Sequence, residues 1–227
     1  MFDSITICSD HHTTLHATHG QCYGLFMTLS VRNLKRLSLG PIDLDVVGGD
    51  IVALTGPSGT GKSLLLRAIA DLDPNEGDLS LKDQKRETMT GPQWRKQVMY
   101  VPAHSGWWAD LVEPHFEGAN RSLVIDTLHR LDLESTALGW PVANLSTGER
   151  QRLSFARAVV HSPKILMLDE PTSGLDTDNG ARMEKLISGY AQDGMGILFV
   201  THDATQAKRL GTRQLTLKDG QLTEHPQ

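Results

Sequence analysis

From Thr28 onward the apolar positions fall into short, regular groups. Leu29, Val31 and Leu34 begin a strand, and Ile42, Leu44 and Val46 alternate with polar residues as a second, the period-two pattern of a half-buried sheet. Gly48-Gly49-Asp50 turns the chain into Ile51–Thr55, a short apolar strand that runs into a Gly-rich loop. Leu64–Leu72 then predicts a helix with Leu65, Ile69 and Leu72 on one face, ended by Asp73-Pro74-Asn75-Glu76-Gly77. Leu79–Leu81 and Val98–Val101 are further strands. Residues 103–144 lose this regularity and carry one clear helix, Leu123–Leu131. The region reads as an inserted helical lobe, a subdomain placed at about residues 103–147. Beyond it the pattern predicts a helix at Gly148–Val160 and an apolar strand at Ile165–Leu168. A helix at Arg182–Tyr190, a buried strand at Ile197–Thr201 and a closing hairpin over Leu215–Leu222 complete it. Short apolar strands alternating with helices argue an α/β fold whose parallel sheet is covered on both faces.

Residues 1–26 stand apart. They carry His11, His12, His16, His19, Cys8 and Cys22 with little apolar periodicity. They read as a tail, or as an extension upstream of a start at Met27; a metal-binding tail is the alternative, although the spacing closes no four-ligand pattern. Residues 27–227 form one domain on length alone. Both cysteines of the chain lie in the tail, which suits a reducing compartment and leaves no disulfide framework for the core. The net charge of −5 disfavours nucleic-acid binding, which is driven by clustered basic charge. The longest apolar runs, such as Ile165–Leu168, are far below the roughly 20 residues a bilayer span requires, so no direct membrane insertion is expected.

Candidate chemistry begins at Gly56-Pro57-Ser58-Gly59-Thr60-Gly61-Lys62-Ser63, which fits G-x-x-x-x-G-K-[ST] between a strand and a helix. Glycines let backbone N–H groups turn inward around phosphate oxygens, and the following helix points its positive end at the same anion. Lys62 is expected to reach the β- and γ-phosphates, and Ser63 to hold Mg²⁺. The loop alone says only that a nucleoside triphosphate binds. The apolar strand ending in Asp169-Glu170 supplies the complement. Asp169 is expected to bind Mg²⁺, and Glu170 to act as general base toward the attacking water.

Leu145-Ser146-Thr147-Gly148-Glu149-Arg150-Gln151-Arg152 precedes that strand. Here the chain resembles the ATP-binding cassette family, whose signature is usually written LSGGQ, with Thr147 and Glu149 as departures. Ser146 and Glu149 also form an S-x-x-E capping box, which would start any helix. Ser173-Gly174-Leu175-Asp176 resembles the family's D-loop and Thr201-His202-Asp203 its switch histidine. The resemblance implies a P-loop NTPase core of RecA-like type, with a parallel sheet, an antiparallel β subdomain and an inserted helical lobe. It implies ATP and Mg²⁺ as ligands, and a homodimer sandwiching two ATP molecules. Ser146 and the Gly148 backbone would take the partner's γ-phosphate, Asp176 would link the two sites, and His202 would bond the γ-phosphate. It further implies an integral-membrane permease as partner, with the cassette cytoplasmic and held at the inner face of the membrane. A soluble regulatory cassette without a permease is the alternative.

Two departures concern the ligands. Ala103 stands where the family places a Gln that contacts Mg²⁺ and water; His104 or Ser105 could substitute, or water alone could hold the ion there. No aromatic residue in Asn33–Gly40 is available to stack on adenine, which leaves Arg36 or Leu37. Trp107 and Trp108 read either as core of the helical lobe or as a groove for a coupling helix of the permease. Nothing in the chain names the cargo; the compact lobe and the His-rich tail invite a metal ion.

Overall fold

The structure, a computed structural model, describes residues 28–225; the tail, and with it both the upstream-extension reading and the metal-binding alternative, lies outside the described residues. In chain order the elements are β1 (Thr28–Arg36), β2 (Leu39–Val47), β3 (Ile51–Thr55), α1 (Lys62–Ile69), β4 (Glu76–Leu81), β5 (Gln84–Lys85), α2 (Gly91–Gln97) and β6 (Val98–Val101). They continue with α3 (Arg121–Arg130), α4 (Thr147–Val159), β7 (Ile165–Asp169), α5 (Thr177–Gln192), β8 (Gly196–Val200), α6 (Ala204–Leu210), β9 (Arg213–Lys218) and β10 (Gln221–His225). An antiparallel sheet runs β2-β1-β4-β5, and a second sheet runs β10-β9-β3-β8-β7-β6. In the second sheet β9, β3, β8, β7 and β6 are mutually parallel and β10 closes it antiparallel. This is a RecA-like core with an antiparallel subdomain and helical insertions.

The continuous apolar runs follow from where that sheet sits. Along β7, Leu166 and Leu168 pack with Leu153 and Phe155 of α4 and Ile187 of α5. Ile165 and Met167 face the other way, toward Leu65 and Ile69 of α1 and the antiparallel sheet. The strands β3 and β8 divide in the same manner, with Val52 and Leu198 on the second side and Ala53 and Phe199 on the first. A strand buried on both faces has no polar face to alternate with.

Several boundaries differ from the sequence expectation, each for a local reason. The first helix starts at Lys62 and stops at Ile69, because Asp71 takes a left-handed φ of 57° and Leu72 swings off the buried face. The strand β4 begins at Glu76 instead of after Gly77. Gly77 (φ 107°) lies so close to β1 that a Cβ would stand 2.6 Å from the Asn33 carbonyl oxygen. Two helices were not expected. In α2, Thr90 and Gln93 form a capping box, and the fully buried Trp94 donates its indole N–H to Ile69 O at 2.9 Å. In α6 the cap is Asp203. Between Ala103 and Thr147 the chain forms α3 and three short 3-10 turns, with α3 against α4.

Candidate functional site

Parallel strands put their C-terminal ends on one edge of a sheet, where ligands bind in open α/β folds. Here that edge gathers four loops: β3 leads into the Gly56–Ser63 loop, β7 ends in Asp169-Glu170, β8 leads to His202, and β6 leads to Ala103. Three of the four carry expected site residues.

The phosphate loop is built by close approach. Gly56 has φ 139°, and a Cβ there would stand 2.3 Å from the Leu217 carbonyl oxygen of β9. Gly61 (φ 97°) forms the start of α1 and lies under the Leu39 side chain, where a Cβ would meet Cδ2 at 2.8 Å. Lys62 Nζ donates to Gly56 O at 2.8 Å and Pro57 O at 2.9 Å, so the ammonium already sits over the loop. Ser63 is exposed on the first turn of α1. The helix starts are instructive. Thr90, Asn120, Ser146, Asp176 and Asp203 cap α2 to α6 with side-chain oxygens, whereas Gly61 leaves the first N–H groups of α1 without a side-chain acceptor. An uncapped helix start flanked by a cation is a ready anion site, and these residues fit a triphosphate with Mg²⁺.

At the end of β7, Asp169 is buried and accepts a hydrogen bond from Tyr100 Oη at 3.0 Å. Burial pushes the Tyr100 phenol well above its ordinary range, and the Asp169 charge pushes it the same way, so Tyr100 stays a donor. Glu170 takes a left-handed φ of 50°, which a side chain other than glycine adopts at some cost. Three backbone contacts hold it there. Glu170 N donates to Val200 O at 3.0 Å, while Glu170 O accepts from Ser173 N at 3.1 Å and from Gln151 Nε2 at 2.6 Å. The result places Glu170 Oε2 3.2 Å from His202 Nδ1.

The signature segment lies at the start of α4. Ser146 Oγ donates to Glu149 Oε2 at 2.7 Å and accepts from Glu149 N at 3.3 Å, and Ser146 N donates to the same carboxylate at 2.8 Å. These bonds hold the Glu149 carboxyl below its ordinary range. Thr147 finds its own place, its methyl group lying over Gly174, where a Cβ would meet it at 3.2 Å.

The ABC transporter family matches residues 39–173. An aliphatic sulfonates import ATP-binding protein of Pseudomonas savastanoi pv. phaseolicola is 36% identical over 209 residues, covering 86% of this chain and 74% of that protein. The chain belongs to the ABC transporter ATP-binding cassette family. A protein of the same description from Granulibacter bethesdensis is 35% identical to it over 189 residues, covering 81% of the chain and 75% of the relative. Among solved structures, a dimeric bacterial ABC transporter cassette superposes with a TM-score of 0.75 at 26% identity, over 87% of this chain and 97% of that one. An ATP-bound bacterial Atm1-family ABC exporter shares the fold, with a TM-score of 0.78 at 24% identity, over 88% of this chain and 38% of its own. Cassettes of this family bind and hydrolyse ATP with Mg²⁺, dimerise and pair with a membrane permease. Among the described residues of this cassette, no helix is long and apolar enough to cross a membrane.

The structure brings Asp169, Glu170 and His202 of the cassette onto one edge with the phosphate loop, as just described. Asp176, expected to link two sites, caps α5 in the single chain: it accepts from Asn179 N at 2.9 Å and Asn179 Nδ2 at 2.7 Å. Ala103 lines a cleft of 390 Å³ with His104, Ser105, Gln151, Asp169 and Glu170. In that cleft Ser105 Oγ points back to Pro102 O at 3.5 Å. At the first hairpin the two adenine-contact candidates separate. Arg36 is engaged with Pro74 O at 2.7 Å, whereas Leu37 stands 83% exposed at the tip. Sequence reasoning gave no role to Tyr100 or Gln151. Their signal was weak: each is one ordinary polar residue, and each acts on a residue far along the chain.

Proposed function

We propose that the protein is the ATP-hydrolysing subunit of an importer, driving a separate integral-membrane permease by ATP-dependent dimerisation. The observation that carries this reading is the Glu170–His202 contact of 3.2 Å on the edge where the phosphate loop ends β3. The backbone of Gly56–Gly61 and the start of α1 bind the phosphates, and Lys62 exchanges its two carbonyl partners for phosphate oxygens. Ser63 and Asp169 hold Mg²⁺, which when bound neutralises phosphate charge. Glu170 polarises the attacking water. His202, bonded to Glu170 through Nδ1, keeps Nε2 for a γ-phosphate oxygen and holds Glu170 in register with the water.

The second half of each site comes from another copy. Gly148 supports this. Its φ is not positive and a Cβ would meet its nearest neighbours at 3.4 Å or more, so the chain's own fold does not demand glycine there. A bare backbone at a helix start suits close approach by a phosphate from outside, with Ser146 beside it. Asp176, at the start of α5, then faces the dimer seam. The relatives' description as import proteins supports the direction of transport, and their sulfonate cargo supports a small organic anion; cargo selection belongs to the permease side. On this reading the cassette sits at the inner face of the membrane through its permease.

Glu170→Gln tests the mechanism. Losing a general base costs about 10²–10⁴ in rate. Steady ATP turnover is expected to fall by that much, while ATP-bound dimers accumulate and elute as such in size exclusion. Turnover at the parent rate would sink the assignment.

A further inference from the structure

The two partners of the Glu170–His202 contact are held unequally. Glu170 has three backbone restraints, from Val200, Ser173 and Gln151. The His202 side chain is 70% exposed, so its place is set by the backbone that carries it. That backbone runs from the end of β8 into α6, a helix of seven residues whose buried apolar side chains are Ala207 and Leu210. A helix this short depends on tertiary contacts to form at all. Two apolar side chains hold it against the sheet, but apolar burial is non-directional and fixes its angle weakly. Hydrogen bonds are directional and can supply what is missing.

The third buried residue of α6 is polar. Gln206 is 4% exposed, and its Nε2 donates to Thr172 Oγ1 at 2.7 Å and to Glu184 Oε1 at 2.9 Å. A carboxylate can only accept, so the amide must turn its NH₂ end this way, and both of its N–H groups are used. Glu184 on α5 accepts in turn from Arg209 Nε at 2.9 Å and Arg209 Nη2 at 2.7 Å. Burial works to raise the Glu184 carboxyl, but the bonds from Arg209 and Gln206 outweigh it and hold the group below its ordinary value. A charged acceptor therefore orients the Gln206 amide, and a satisfied buried network of this kind is rigid.

The other end of the network is Thr172, two residues after Glu170, beside the turn that Ser173 N closes onto Glu170 O at 3.1 Å. The Gln206–Thr172 bond thus ties the first turn of α6, just after His202, to the segment that begins with Glu170. One cleft of 290 Å³ gathers Glu170, Thr172, His202 and Gln206 on its walls. If the cluster served only to join α5 to α6, the Glu184–Arg209 pair would suffice. The bond to Thr172 adds nothing to that joint; it spans the same gap as the Glu170–His202 contact, at a second point.

We infer that Gln206 is a positioning residue for ATP hydrolysis: by tying the first turn of α6 to the segment after β7, it keeps His202 at bonding distance from Glu170. The inference rests on the Glu170–His202 reading above and gives Gln206 no contact with ATP. Its test is steady-state ATP hydrolysis by the full cassette with Mg²⁺. Gln206→Met keeps the length of the side chain and removes the donor. Its kcat is expected to fall roughly tenfold or more with KM for ATP little changed, since a small misplacement of a reacting group is costly. In a His202→Ala background the same change is expected to cost nothing further, because the residue it positions is gone. Thr172→Val deletes the bond from its other end, and a smaller loss is expected that also disappears in the His202→Ala background. A folded Gln206→Met protein with the parent kcat overturns the role. So does a loss that persists undiminished without His202, which would make Gln206 a packing residue. Should Gln206→Met not fold, Thr172→Val decides by the same pair of measurements. If His202→Ala itself turns over ATP at the parent rate, the Glu170–His202 reading falls first, and this role with it.

Discussion

The phosphate loop and the Trp107–Arg157 seam each set a cation on backbone carbonyls, Lys62 on Gly56 O and Pro57 O and Arg157 on Gly106 O beside two indole rings, but in opposite ways. The loop does it within eight consecutive residues, where glycines and a helix start dictate the geometry locally. The seam does it with residues about 50 apart, brought together only when α4 packs under the segment that follows β6. A local device has a fixed spacing and little tolerance for change. A tertiary device has no spacing of its own, and its tolerance depends on how its parts are held. The tests below separate these two behaviours.

The largest effect is expected at Gly56. Alanine there must take φ 139° and place its Cβ 2.3 Å from Leu217 O, a backbone atom of the central sheet that cannot rotate away. Strain of this kind and overpacking each cost on the order of 1–3 kcal/mol. A Gly56→Ala protein is expected to melt roughly 4–24 °C lower and to lose most ATP binding, measured by calorimetry. A protein that keeps both its melting temperature and its affinity would show that the loop is less locally determined than its spacing implies.

This contrast also explains what could be read from the sequence. The strands β3, β7 and β8 and the phosphate loop stood out because burial on both faces and phosphate geometry each leave a contiguous pattern. The helices α2 and α6 are seven residues each, and α2 buries only Trp94, too little for a 3.6-residue period to show. Residues proposed to act directly on the ligand, such as Lys62 and Glu170, came with their motifs. Those that act on another residue did not. Tyr100 reaches Asp169 across 69 positions and Gln151 reaches Glu170 across 19, and nothing in either side chain announces its partner.

Gln151 is therefore the next test, since it ties α4, the helix that carries Arg157, to Glu170 at the end of β7. Its Nε2 holds the Glu170 carbonyl at 2.6 Å, while its own Oε1 is buried without a partner. Gln151→Leu removes a useful donor and an unmatched acceptor together, so global stability is expected to change by less than about 1 kcal/mol. The Glu170 backbone, held at φ 50°, loses one of three restraints. A small displacement of the base can cost up to about 10² in rate. The expected outcome is a kcat lower by roughly 10–100-fold with KM for ATP little changed. A proportional loss of melting temperature and kcat would instead make Gln151 a packing residue.

The smallest effect is expected at Glu149, where the signature departs from the family and serves a local need. Its carboxylate closes the capping box on Ser146 and also favours the α4 dipole. On the proposed dimer it stands as a full negative charge beside the point where the other copy's γ-phosphate arrives. Glutamine can accept the same two bonds from Ser146 through its amide oxygen, so Glu149→Gln keeps the box and removes the charge. Losing the charge–dipole term costs about 0.3–1 kcal/mol of stability. Losing the repulsion favours association by a similar amount, roughly 2–5-fold in dimer affinity, read by light scattering with ATP in the Glu170→Gln background. The pH dependence separates the two terms. The folded Glu149 carboxyl lies below its ordinary value because of its bonds to Ser146. Its stabilising contribution is therefore complete above the ordinary glutamate range and is lost as pH falls through the depressed folded value. The parent's melting temperature is expected to drop across that acid window more than the variant's, with the two curves converging below it. Weaker ATP-dependent dimers in Glu149→Gln would mean that the carboxylate orients Ser146 for the partner's phosphate more than it repels it, and that the start of α4 is as locally specified as the phosphate loop.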